Sequence, residues 1–128
     1  MKTPTILLVL DEPLDLQIYG TALRSLGYKV VLCGSRLAAI DLIESESVDF
    51  VIVSQGTPAF EGRDVLKRIL QLHPKLPVLV VARALDVHCY FEAMELGAVD
   101  YLERPEPRDL LWTVKTQMPN LGSHMAAA

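Results

Sequence analysis

Residues 49–62, DFVIVSQGTPAFEG, decide the fold. Asp49 to Val53 is a run dominated by β-branched and apolar side chains, and Gly56, Pro58 and Gly62 then punctuate a turn. A strand buried on both faces reads as such an unbroken apolar run, and strands of that kind belong to parallel sheets covered by helices. Ser54, which ends the run, is therefore expected at a carboxyl end of the sheet, a hydroxyl where an acidic nucleophile would be looked for.

The same strand-then-helix pattern lies on both sides of this stretch. Residues 5–10 read as a strand, and residues 13–26 set Leu16, Tyr19, Leu23 and Leu26 at helical spacing, with Gly27 at the C-terminal cap. Strand 29–33 precedes a helix over 35–44 capped by Ser35. Strand 49–54 is followed by helix 62–73, strand 77–82 by helix 86–96, and strand 100–104 by helix 107–118. Five such units predict an α/β protein, a flavodoxin-like doubly wound sheet of five parallel strands in the order 2-1-3-4-5. In that arrangement ligands and chemistry gather outside the strand ends where the order reverses, between the first and third strands. Asp11 and Glu12 should then face Ser54.

Composition narrows the possibilities. A chain of 128 residues that is 51% hydrophobic makes one full core, here assigned to residues 1–119. The apolar stretches are too short to span a bilayer and no signal-peptide pattern is present, so no membrane association and a cytoplasmic location are expected. Twelve basic against sixteen acidic residues leave a net charge of −4 without a basic block, which argues against a nucleic-acid surface. Cys33 and Cys89 show no zinc-ligand spacing, and Cys33 reads as a small buried hydrophobe. The phosphate-cradling patterns G-x-G-x-x-G and G-K-[ST] are missing. Residues 120–128 contain Gly-Ser-His-Met, a string that cloning vectors leave behind, and are expected to be vector-derived or disordered tail, so His124 carries no functional weight.

ILLVLDEP (6–13), SLGYKV (25–30), GTPAFEG (56–62), LPVLVVA (76–82), GAVDYL (97–102) and RP (104–105) follow one another in order. Together they resemble the receiver domain of bacterial two-component response regulators across residues 4–118. That resemblance implies a domain that takes a phosphoryl group from a histidine kinase onto an aspartate at the end of strand three. Mg²⁺ would be held by that aspartate and an acidic pair, and a strand-four hydroxyl and a strand-five lysine would bind the phosphate. At the matching positions this chain has Ser54 for the acceptor, Leu10 for the first acid, Ala82 for the hydroxyl residue and Arg104 for the lysine; Asp11 is retained. The implied pocket is vestigial, formed by Asp11, Glu12, Ser54, Ala82, Arg83 and Arg104, with no catalytic residue. The family's basic-residue-proline pair implies a cis bond before Pro105.

A carboxylate is already an anion at neutral pH, whereas a serine hydroxyl needs a neighbouring base, for which Asp11 is nearest. Mg²⁺ needs concentrated carboxylate charge, so no cofactor is expected, with at most weak Mg²⁺ binding at Asp11. Arg83 and Arg104 can neutralise Asp11 and Glu12 without metal; alternatively Arg83 is a solvated loop residue. On the fourth helix Phe91, Ala93 and Leu96 fit the core stripe. Tyr90 and Met94 are left on a neighbouring face and, with Tyr101 and Trp112, form the candidate interface.

These observations predict a non-enzymatic pseudo-receiver that acts by phosphorylation-independent protein interaction. Its partners would be an effector domain, a kinase or a second copy of itself. Two alternatives stay open: a phosphorylatable receiver using Ser54 or another acceptor with Mg²⁺, and an anion- or nucleotide-sensing domain built between Arg83 and Arg104.

Overall fold

The computed structural model describes residues 3–118; the expected tail at 120–128 lies outside the described residues. Ten elements alternate: β1 (Thr5–Val9), α1 (Pro13–Ser25), β2 (Lys29–Cys33), α2 (Arg36–Ser45), β3 (Phe50–Ser54), α3 (Arg63–Leu72), β4 (Val78–Ala82), α4 (Val87–Leu96), β5 (Asp100–Glu103) and α5 (Pro107–Gln117). The strands form one parallel sheet in the order β2-β1-β3-β4-β5, as the sequence predicts.

Side-chain alternation along the strands sorts the core into two layers. Ile6, Leu8, Phe50, Ile52, Leu79 and Val81 meet Leu23 of α1 with Leu110 and Val114 of α5 on one face. Leu7, Val9, Val51, Val53, Val78 and Val80 meet α2, α3 and α4 on the other, through side chains such as Ile43, Leu66 and Ala93. Every residue of β1 and β4 is buried, which is why these strands read as unbroken apolar runs rather than as alternations. Polar chemistry is thereby confined to the strand ends and the loops beyond them.

Local signals fix where the helices begin. The Ser35 hydroxyl accepts from the Ala38 N–H at 3.3 Å, and the Asp86 carboxylate accepts from the Cys89 N–H at 2.9 Å, each satisfying a donor that helix geometry leaves free. Pro13 and Pro107 open α1 and α5, where a missing N–H costs nothing. On α4 the expected core stripe holds at Ala93 and Leu96 and fails at Phe91. Cys89 and Ala93 are its buried residues, four apart, and Phe91 lies about 200° around the helix from Cys89 at 100° per residue and is 61% exposed.

After β3 the chain folds back on itself. The Gly62 N–H donates to the Gln55 carbonyl at 3.0 Å, and a Cβ on Gly62 would run into the Ser54 carbonyl oxygen. Gly62 is therefore a close-approach glycine that tucks the start of α3 under the end of β3. Gly62→Ala is expected to destabilise the domain by about 1–3 kcal/mol in urea unfolding, as overpacking against fixed backbone does. Gly34→Ala, whose new methyl would meet only Leu16 Cδ1 at 3.8 Å, should stay within about 0.5 kcal/mol of the parent.

Candidate functional site

The carboxyl ends of β1, β3 and β4 open into a cleft of about 830 Å³, lined among others by Leu10, Asp11, Glu12, Ser54, Ala82, Arg83 and Arg104. All six residues of the predicted pocket thus line one cavity. Parallel register explains the convergence: Val9 pairs with Val53 and Ser54 with Val81, so the residues that follow each strand emerge side by side.

Asp11 is the hub. Its Oδ2 accepts a hydrogen bond from the Ser54 hydroxyl at 3.1 Å and lies 2.7 Å from the Arg36 Nη2. Glu12 Oε2 pairs with Arg83 Nη2 at 3.4 Å, and this arginine is 72% exposed, so the contact is a loose surface pair worth at most about 1 kcal/mol. The sequence offers two readings, Arg83 and Arg104 as partners of both acids or Arg83 as a solvated loop residue, and Arg83 stays largely solvated with this one loose contact. The structure gives Asp11 to Arg36 instead, because the start of α2 follows β2, the strand paired directly with β1. Arg104 lines the cleft without an ion pair among the described residues.

The bond before Pro105 is trans, which corrects the expected cis bond. Arg104 absorbs the turn in its own backbone, at a φ of 41°, while its N–H donates to the Ala82 carbonyl at 2.7 Å. The Tyr19 hydroxyl donates to the Pro105 carbonyl at 2.6 Å, tying this loop to α1. The trans isomer is also the intrinsic preference of X-Pro bonds, by about 0.5–1 kcal/mol.

A second network sits behind the cleft. Tyr101 is buried at 6% exposure, which removes it from the expected interface surface. Its hydroxyl donates to the Gln55 side-chain carbonyl and accepts from the Asp86 N–H at 3.2 Å. Gln55 is itself buried and uses its amide to donate to the Thr57 carbonyl at 3.2 Å. The ring therefore has one inward position with both functions of its hydroxyl used, and burial raises the pKa of the phenol. Tyr90 packs edge-on to Tyr101 at 5.6 Å and to Phe91 at 5.3 Å. Burial likewise pushes the Cys89 thiol up to about 11, so it is protonated at neutral pH.

On the outer face of α4, Val87, Tyr90, Phe91 and Met94 are exposed at positions i, i+3, i+4 and i+7, an apolar helical stripe. Tyr90 and Met94 were foreseen; Phe91 and Val87 join them. Trp112 on α5 is 69% exposed, consistent with its place outside the core stripe. Arg36, Gln55, Thr57 and Glu61 are the site residues that sequence reasoning missed. Gln55 carried a signal, being a polar residue directly after a buried strand; Arg36 carried none beyond following the Ser35 cap.

The donors present do not fit a magnesium site of the kind the fold class uses. Position 10 is a leucine, Glu12 is turned to Arg83, and a guanidinium already sits on Asp11. Among the described residues no three His, Cys, Asp or Glu side chains converge on a point that could hold a metal. Four carboxylates against three guanidiniums line the cleft, so it has no net positive charge to attract an anion either.

A five-stranded parallel sheet in the order 2-1-3-4-5 with a cleft at its carboxyl edge is the flavodoxin-like doubly wound fold. Residues 6–115 match the profile of the response regulator receiver domain, and the chain belongs to that family. It is 33% identical over 100 residues to the transcriptional regulatory protein ZraR of Escherichia coli (strain K12), a match that takes in 78% of this chain and 23% of ZraR. It is 35% identical over 89 residues to the transcriptional regulatory protein FixJ of Bradyrhizobium diazoefficiens, covering 70% of this chain and 43% of FixJ. The chain spans about a quarter of the length of the ZraR proteins it matches. Among solved structures, the signal receiver domain of an HD domain-containing protein from Pseudomonas fluorescens superposes with a TM-score of 0.85 at 27% identity, over 95% of this chain and 99% of that one. A CheY-like receiver domain from Methanospirillum hungatei shares the fold, with a TM-score of 0.87 at 23% identity over 96% and 99% of the two chains.

Receiver domains are signalling modules that interact with kinases and effector domains. No helix among the described residues is long and apolar enough to cross a membrane.

Two expectations follow from the site. Gln55→Leu leaves the Tyr101 hydroxyl without its acceptor in a buried place; stability should fall by about 1–3 kcal/mol in urea unfolding, with faster hydrogen exchange at the Asp86 amide. The Thr57 hydroxyl, followed by backbone hydrogen bonds, holds the Glu61 carboxyl below its usual range. Its native pKa is depressed, so its contribution is complete above the ordinary glutamate value of about 4.3 and is lost as pH falls through the lowered value. Acid unfolding of Glu61→Gln should accordingly be flatter than that of the parent below about pH 4.

Proposed function

We propose that this chain is a pseudo-receiver: a non-enzymatic signalling domain that acts by protein interaction and does not depend on phosphorylation. The observation that carries this reading is Ser54 at the end of β3, its hydroxyl donating to an Asp11 carboxylate that is already ion-paired with Arg36. A neutral hydroxyl attacks phosphorus only when a base removes its proton. The carboxylate that accepts from this hydroxyl is already engaged by the Arg36 guanidinium.

The output side supports the same reading. A receiver reports phosphate through a hydroxyl on β4 that draws the following loop inward, and this chain has Ala82 there. The aromatic residue that would respond, Tyr101, is held inward by Gln55 and the Asp86 N–H without any phosphate. The α4 face with Val87, Tyr90, Phe91 and Met94 therefore presents one constant surface. Its partner would be an effector domain, a kinase or a second copy of the chain, and the relatives suggest a setting in transcriptional regulation. Cytoplasmic action fits such partners.

The test is intact-mass spectrometry after incubation with acetyl phosphate or phosphoramidate and Mg²⁺. The expected result is an unmodified chain under conditions that phosphorylate an ordinary receiver. A stoichiometric phosphoryl adduct mapping to Ser54 or to another residue of the cleft would overturn the reading.

A further inference from the structure

We propose that the Arg36 guanidinium is the resident cation of the cleft, standing among Asp11, Gly56 and Glu61 in the role of a divalent ion and barring such an ion from the site. This deepens the pseudo-receiver reading and rests on it, but it concerns the charge that holds the cleft rather than the acceptor.

Arg36 is the first residue of α2, directly after the Ser35 cap. The positive end of a helix dipole is an unfavourable place for a cation, so local helix electrostatics do not explain an arginine there. Its tertiary partner does. Nη2 reaches across from α2 to Asp11 Oδ2 at 2.7 Å, and the arginine side chain is only 30% exposed in doing so. The same Oδ2 accepts from Ser54, so one carboxylate oxygen joins the guanidinium to the end of β3.

The loop after β3 is shaped around this group. Gly56 has a φ of +85°, and a Cβ there would meet Arg36 Nη2 at 3.0 Å and also strike the Glu61 carboxylate. Glycine thus leaves the space in which the guanidinium and Glu61 approach each other. Glu61 is kept in place by the Thr57 N–H at 2.7 Å and by the Thr57 hydroxyl. The Arg36 charge also favours its ionised form, though less than those hydrogen bonds do. The direct partner of this positive charge is Asp11, while Glu61 lies nearby without an ion pair to it among the described residues.

Arginine suits this role. Its charge persists at all accessible pH, its planar fork bonds carboxylate oxygens directionally, and it is less strongly hydrated than an ammonium. A divalent ion approaching Asp11 meets that fixed charge at contact distance, a repulsion that solvent screens in part because the Asp11 side chain is 44% exposed.

The experiment titrates Mn²⁺ alone into the full chain, with no phosphodonor. Free Mn²⁺ is followed by electron paramagnetic resonance, and thermal unfolding is measured with EDTA and with Mn²⁺. The parent is expected to show no saturable uptake at millimolar ion and a melting temperature indifferent to it. Arg36→Ala should melt lower in EDTA, take up Mn²⁺ at least about tenfold more tightly than the parent and recover thermal stability with it. Arg36→Gln keeps much of the volume and donor capacity without the charge and should behave likewise, which preserves the test if the alanine variant does not fold. Arg36→Lys, which retains the charge, should remain indifferent to Mn²⁺. An arginine with only a packing role would give variants that are destabilised and stay blind to the ion. That result, or uptake by the parent as tight as by the charge-deleted variants, would overturn the proposal. Because no phosphodonor is present, failure here leaves the phosphorylation result standing, and an adduct in that separate assay is the finding that removes the pseudo-receiver reading itself.

Discussion

Burial of the central strands on both faces is the constraint from which the rest of the molecule follows. With β1, β3 and β4 enclosed between two helical layers, a charge within the strands would lie in apolar surroundings without water or a partner. Ionisable groups are therefore pushed to the strand ends, and parallel pairing brings those ends to one edge. The cleft is a consequence of the core: the packing that makes the sheet stable also gathers Asp11, Ser54 and the loop after Ala82 within reach of one another.

The charges that line the cleft are met largely within the chain, with Asp15 and Arg104 outside any ion pair among the described residues. Asp11 is satisfied by Arg36 and Ser54, Glu12 by Arg83, and Glu61 by Thr57 with Arg36 close by. A receiver that awaits phosphate concentrates negative charge, accepts a metal to offset it, and changes shape when more negative charge arrives. Here the offset is covalently part of the chain.

The hydrogen-bond chain from Asp86 through Tyr101 to Gln55 and Thr57 joins the start of α4 to the loop after β3. Each buried polar group in it has a partner within the chain, so rearrangement would expose an unsatisfied donor or acceptor before any compensating contact formed. Directly outside it lies the apolar stripe of α4, with Tyr90 packed on the edge of the Tyr101 ring. Rigid support beneath an exposed apolar face is what a constitutive interaction surface requires, since little ordering cost remains for the partner to offset.

Much of this was legible in the order of residues. Apolar runs, caps and turn residues determined the alternation of strands and helices, the sheet order, and the meeting of Asp11, Glu12 and Ser54 at one edge, because those signals act over a few residues or follow from topology, while the resemblance to receiver domains added Ala82, Arg83 and Arg104. Tertiary structure alone decided which cation meets which acid, since the Arg36 and Asp11 pairing joins residues 25 apart through the neighbouring positions of β1 and β2. It also decided that Arg104 takes a left-handed backbone and a trans bond to Pro105, that Phe91 faces outward while Cys89 fills the core, and that Gln55 holds Tyr101 across 46 residues. Periodicity identifies the side of an element that is buried, but the partner of a polar side chain is set by distances between elements, and those exist only once the sheet has formed.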